Sequence, residues 1–225
     1  MAVAKPKSFP LLPAALERSR LVQNLAVILA VNWLFQGVRG MQRKERTFRL
    51  LLEALLAFVL LWPLLRMDLR AETALGLALL AAHTLDFLVN GQFWVCMRYA
   101  AFWRREPAVL DAFLARTAAR LVRYDWLEEA FCIGSQGAGR GTPHARSDID
   151  LRLVFPPGIR NWLRTNLLML ALRGRAFLER VPLDLYAHDD LSPLIRVRPD
   201  EPVLLLRDRR GRLARALGQR KLVRW

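Results

Sequence analysis

An α+β chain with an apolar helical front is what the amino-acid sequence predicts, and three observations predict it. Three apolar runs, Leu21–Val38, Leu50–Leu65 and Ala74–Met97, fill most of residues 1–106. From Pro107 onward, segments of helical and strand periodicity follow in the order α-β-β-α-β-β. One of those strands carries two aspartates on a single face. Periodicity alone leaves α/β and α+β both open for this second half, residues 107–225 with their basic tail.

The front begins with a proline-punctuated lead-in, residues 1–13, with no short apolar core closed by a small-residue cleavage site. No signal peptide is expected, and the second half should be cytoplasmic. Leu21–Val38 is uncharged and about as long as a membrane span, but Asn24, Asn32 and Gln36 line one helical face. That stripe suits a helix lying at an interface or packed on neighbours. Arg39, Arg43, Lys44, Arg46 and Arg49 then form a basic segment, suited to anionic head groups or simply to solvent as a loop. In the third run His83, Asp86 and Asn90 share a face, and a hydrogen-bonded His83–Asp86 pair is expected.

Charge also predicts a topology. If the second and third runs form a hairpin, the basic segment 39–49 and the second half lie on one side, and the charge-balanced connector 66–72 on the other. The expectation is a chain at the cell inner membrane or its surface, with the second half on the cytoplasmic side. The alternative is a wholly cytoplasmic, leucine-rich helical domain that buries these runs in itself or in an oligomer.

The second half opens with a helix over Ala108–Trp126, its apolar face marked by Leu110, Phe113, Leu114 and Leu121. A strand over 130–134 follows, then the aspartate strand, and Pro156-Pro157-Gly158 as a breaker. A helix is expected over Ile159–Glu179, strands over Leu183–Ala187 and Val203–Leu206, a turn over Arg207–Arg212, and a final helix in Leu213–Trp225.

Composition narrows the function. With 35 Lys+Arg against 20 Asp+Glu, the net charge of +15 favours anionic partners: nucleoside triphosphates, nucleic acid or an anionic membrane face. The aromatics Trp33, Phe35, Phe87, Phe93 and Trp94 sit in apolar runs rather than among the basic residues, which argues against a nucleic-acid stacking platform. Two cysteines in apolar runs, Cys96 and Cys132, argue against a disulfide framework and for reduced, buried thiols, and no Cys/His cluster has zinc spacing.

The chemistry concentrates in Phe131-Cys-Ile-Gly-Ser135, a glycine-rich turn through Gly141, and Ser147-Asp-Ile-Asp-Leu-Arg-Leu-Val154. Gly134, Gly137, Gly139 and Gly141 strip side chains from the turn, so that backbone N–H groups can face a phosphate. Period two puts Asp148 and Asp150 on one face, Ile149 and Leu151 on the other. Two like charges so held need a cation, and hard oxygen ligands suit Mg²⁺.

This Gly-Ser, spacer, Ser-Asp-Ile-Asp-Leu pattern resembles the signature of the DNA polymerase beta-like nucleotidyltransferases, especially their minimal versions. The resemblance covers roughly residues 107 to 207, and the spacer is a residue or two longer than the family's. It implies a mixed sheet backed by helices and a third carboxylate on a later strand, for which Pro182-Leu-Asp-Leu-Tyr186 offers Asp184. It further implies transfer of a nucleoside monophosphate from an NTP to a hydroxyl acceptor, with release of pyrophosphate. Asp148, Asp150 and Asp184 would bind two Mg²⁺ ions, and Asp184 could serve as general base. Gly134, Ser135 and Ser147 would hold phosphate, with Arg140 and Arg146 neutralising its charge. His144, alone in the turn, has no assigned part.

Only about forty residues follow Asp184, too few for the base-binding domain of longer members. Acceptor choice would then fall to the front half, a partner protein or a second copy, and a membrane-linked or small-metabolite acceptor is expected. Two other classes stay open: a non-catalytic nucleotide sensor or toxin–antitoxin regulator, and a nucleic-acid-binding protein.

Overall fold

The computed structural model describes residues 7, 13, 16, 19–37, 41–90, 92–100, 102–134, 146–191, 201–218 and 222–225. Among them the architecture is α+β, with seven helices and a five-stranded mixed sheet.

The first apolar run yields only an 11-residue helix, α1 (Leu25–Phe35), too short to span a bilayer. Asn24 caps it, its side chain accepting from the Ala26 N–H, and Gln36 ends it in the left-handed region at φ 43°. Of its polar stripe, Asn32 and Gln36 are enclosed and Asn24 is exposed.

The second and third runs form the expected antiparallel pair, α2 (Arg43–Leu64) and α3 (Ala71–Val89). Ala74, Ala78 and Ala82 are fully buried at a spacing of four, which lets the backbones approach closely. Large apolar residues point the other way. Leu55, Phe58, Val59 and Trp62 of α2, and Leu79 and Leu80 of α3, are each at least half exposed.

Three expectations about the front need correcting. Residues 43–49 of the basic segment are not a solvated loop but the first two turns of α2, because Glu45 and Arg49 find buried partners. The third run is not one helix either: α3 stops at Val89, and a short α4 (Gln92–Met97) follows. Nor do His83 and Asp86 bond to each other. His83 joins Glu53 at 2.7 Å and the Trp33 carbonyl at 2.8 Å, while Asp86 pairs with Arg49 and accepts from Asn90.

In the second half, α5 (Pro107–Leu121) starts on a proline whose missing N–H costs nothing at that position. Strands β1 (Glu129–Ile133) and β2 (Ile149–Val154), helix α6 (Ile159–Leu178), and strands β3 (Leu183–His188) and β4 (Val203–Asp208) come next. The tail departs from expectation. Its helix α7 covers only Arg212–Leu217, and Leu222–Arg224 adds a strand, β5.

The sheet runs β3-β2-β1-β4-β5, with β1 antiparallel to both neighbours and the outer pairs β2–β3 and β4–β5 parallel. Helix α6 makes the crossover between β2 and β3. One sheet face, including Cys132, Leu151 and Leu185, packs on Phe113 and Leu114 of α5 and Met169 and Leu172 of α6. The opposite face holds a smaller cluster of Phe131, Val203 and Leu213 at one end.

The hairpin's basic end sits against the second half: Lys44 pairs with Asp189, and the Trp162 indole donates to the Lys44 carbonyl at 2.7 Å. A buried polar chain crosses the same junction. Arg49 donates to the Gln36 carbonyl at 2.9 Å and pairs with Asp86; Asp86 accepts from Asn90; Asn90 accepts from Arg173 at 3.2 Å; Arg173 pairs with Glu45 at 2.7 Å. Arg173 also donates to the Leu185 carbonyl, and the Ala187 N–H approaches Glu45 at 3.5 Å. Those two backbone groups lie on the outer edge of β3, which would otherwise present unpaired donors and acceptors.

Candidate functional site

Strand pleating and parallel register together build the site. Along β2 the residues at 149, 151 and 153 are buried beneath the sheet, so Asp150 and Arg152 stand on the other face, with Asp148 just before the strand in the same alternation. On β3, Leu183 and Leu185 go into the core and Asp184 and Tyr186 rise. The parallel register sets Asp150 opposite Asp184 and Arg152 opposite Tyr186. Two of the expected acids are therefore cross-strand neighbours, and the third lies two residues upstream.

Their electrostatics report the crowding. Burial first, then the charges of Asp148 and Asp184, hold the Asp150 carboxyl well above the usual carboxylate range. Asp148 is also raised, by burial, with the Asp184 charge adding to the shift and Arg98 opposing it. Tyr186 hydrogen-bonds to Asp184, and the Asp184 charge together with burial pushes its phenol far above its ordinary value.

Arginines meet the acids. Arg98, just beyond α4, pairs with Asp148, and Arg152 lies 3.7 Å from Asp150. Arg152 also donates to the Asp184 carbonyl at 3.2 Å and stacks over the Tyr186 ring at 4.6 Å. Lys7 sits over the Tyr99 ring at 5.5 Å, and its charge also acts on Asp148.

Gly134 closes one side. Its φ of +71° lies in the left-handed region, and a β-carbon there would stand 2.9 Å from the Asp150 Oδ2 atom. Its N–H donates to Glu201 at 2.8 Å, so a carboxylate sits at one amide expected to face a phosphate. Ser147 is buried and Arg146 half-buried beside the acids in sequence. Ser135, Arg140 and the remainder of the turn, 135–145 with His144, lie outside the described residues.

Among the described residues, no three His, Cys, Asp or Glu side chains converge as a ready cage for a metal ion. The donor chemistry nonetheless suits a hard divalent cation: three neighbouring carboxylates, two of them resisting ionisation through burial and mutual charge.

Arg98, Arg152, Tyr186 and Glu201 are the site residues that reading the sequence missed. Arg152 and Tyr186 continue the same period-two alternation as Asp150 and Asp184, so a signal for them existed. Arg98 reaches Asp148, and Glu201 the Gly134 N–H, through tertiary folding, and no local pattern marks them. No family model matches the chain, and neither does any curated protein or solved structure.

Proposed function

We propose that this chain is a magnesium-dependent nucleotidyltransferase whose apolar hairpin attaches it to a membrane. The observation that carries the reading is the pairing of Asp150 with Asp184 on adjacent parallel strands, with Asp148 on the same face and Gly134 placed where any β-carbon would crowd Asp150. Bound Mg²⁺ would neutralise the triphosphate and acidify the acceptor hydroxyl. Asp148, Asp150 and Asp184 are the residues to hold it.

The reaction forms a bond from the acceptor oxygen to the α-phosphorus and breaks the α–β phosphoanhydride, releasing pyrophosphate. The acceptor proton passes to a carboxylate, for which Asp184, oriented by the Tyr186 hydroxyl, is the candidate. Gly134 leaves room for the triphosphate where any side chain would crowd Asp150.

Membrane attachment rests on length, composition and exposure together. At about 1.5 Å per residue, the 18-residue apolar windows of α2 and α3 reach about 27 Å, close to the roughly 30 Å of a bilayer core. A soluble core helix of that composition would be mostly buried; the apolar windows of these two are 11% and 28% buried. The cationic start of α2 and the acids then share one side, and a membrane-linked hydroxyl is the favoured acceptor.

The test is to incubate the purified full chain with labelled NTPs and Mg²⁺, with membrane and soluble metabolite extracts as acceptors. Pyrophosphate release that disappears in Asp148→Asn, Asp150→Asn and Asp184→Asn supports transfer. Tight NTP binding without turnover on any acceptor refutes it in favour of a sensor.

A further inference from the structure

The acid face is met by a cation from the other half of the chain, and this resemblance-independent feature assigns that half a part in the chemistry. Arg98 follows α4 and belongs to the front, yet its guanidinium pairs with Asp148. Both side chains are largely enclosed, at 24% and 14% exposure, so this is not a solvent-screened surface pair. The head group is steered there: Arg98 donates to the Tyr99 hydroxyl at 2.9 Å and lies 5.0 Å from that ring's centre. Across the site, the Glu201 carboxylate accepts from the Gly134 N–H. Side chains of the protein thus take both sets of contacts that a metal–triphosphate complex would use, a guanidinium on the acid and a carboxylate on the amide.

We propose that Arg98 is a nucleotide-binding residue that exchanges partners, leaving Asp148 for the triphosphate as the metal–nucleotide complex enters. This rests on the nucleotidyltransferase reading of the same acids. The physical reason is valence. A divalent ion outbids one guanidinium for Asp148, while the arriving phosphates offer the displaced planar fork a bidentate partner. The exchange keeps every charge compensated at each stage, which an enclosed site requires. It also makes nucleotide capture depend on the front half, so the hairpin region does more than anchor.

Two binding titrations on the full chain in lipid nanodiscs test this without turnover: Mn²⁺ alone, and a non-hydrolysable NTP analogue with Mn²⁺ present. In Arg98→Gln, Mn²⁺ alone should bind roughly three- to tenfold more tightly, because its competitor is gone. The analogue should bind on the order of ten- to hundredfold more weakly, the worth of lost charge-assisted hydrogen bonds. Arg98→Lys should fall between the two in both titrations, since it keeps the charge but not the fork. Thermal unfolding of each variant separates these shifts from loss of fold: Arg98→Lys, which keeps the ion pair, should unfold as the wild type does. If the wild type binds both ligands and Arg98→Gln binds them equally well, the exchange is wrong and the nucleotidyltransferase reading stands. If the wild type binds neither, both fall.

Discussion

Removing one member of the Glu45–Arg173 pair should damage this protein far more than removing both. The two side chains are 2% and 4% exposed and meet at 2.7 Å, with Arg173 also holding the Leu185 carbonyl and Asn90. Arg173→Met leaves the Glu45 charge buried and uncompensated, a change that costs about 3–5 kcal/mol. For a chain of this size each kcal/mol moves the midpoint by about 2–4 °C, so the expected loss is roughly 6–20 °C. Glu45→Leu should cost a similar amount by stranding the guanidinium. The double variant removes both charges; what remains is the orphaned Leu185 carbonyl, about 1–3 kcal/mol, with the long 3.5 Å contact to the Ala187 N–H and the Asn90 contact also lost. Thermal unfolding of the four proteins in nanodiscs, read by tryptophan fluorescence, gives the cycle. Strictly additive midpoints, or singles within about 0.5 kcal/mol of wild type, would refute the claim that this pair closes the edge of β3.

Other outcomes follow from the same geometry. Asp150 has a folded-state pKa above its unfolded one, so the folded protein binds the extra proton and stability falls as pH rises through the folded value. Asp150→Asn should therefore melt higher than wild type at pH 7–8 in chelator, with a flatter pH profile, while losing turnover; a lower midpoint there would count against burial of that charge. Phe58 is 70% exposed on α2, and Phe58→Arg should cost about 3 kcal/mol of insertion, seen as loss from the carbonate-resistant membrane fraction; wild type released by high salt alone would remove the premise. Gly134→Ala, strained at φ +71° and pressed on Asp150, should lose nucleotide binding; an unchanged affinity for an NTP analogue would show that the close approach is irrelevant. Burial pushes the Cys96 thiol up to about 12, so iodoacetamide should modify it only after unfolding, as peptide mass analysis would show.

What the sequence made legible was local. Alternation over Asp148–Val154 and over Leu183–Ala187 depends only on near neighbours, so strand, face and acid could be read together, and β2 and β3 lie where the pattern put them. Charge was legible only as far as solvent is the default. Arg49 and Glu45 read as part of a basic stretch because their partners Asp86 and Arg173 lie 37 and 128 residues away. The break after Val89 was missed for the opposite reason: Asn90 and Gln92 sit inside an apolar run, and Asn90, the cap of α3, bonds back to Asp86 and across to Arg173 in the second half. The strand at Leu222–Arg224 escaped because three residues carry too little alternation to outweigh the helical look of the tail around them.

Three of the missed residues share a location, and it bears on how the two halves work. Arg98, Glu45 and Arg173, whose partners local reading missed, lie where the front packs on β2 or β3. Without the front, the edge of β3 would keep Arg173 at the Leu185 carbonyl but lose Glu45 from the Ala187 N–H, and Asp148 would lose its guanidinium. An acid cluster already short of positive charge would become harder still to ionise. The second half has the strands and the acids; their charge balance and the finish of their outer edge come from residues before Pro107. A hairpin needed only as an anchor could be exchanged for any other apolar pair, whereas this one brings Glu45 at its base and Arg98 just beyond it to particular atoms of the site.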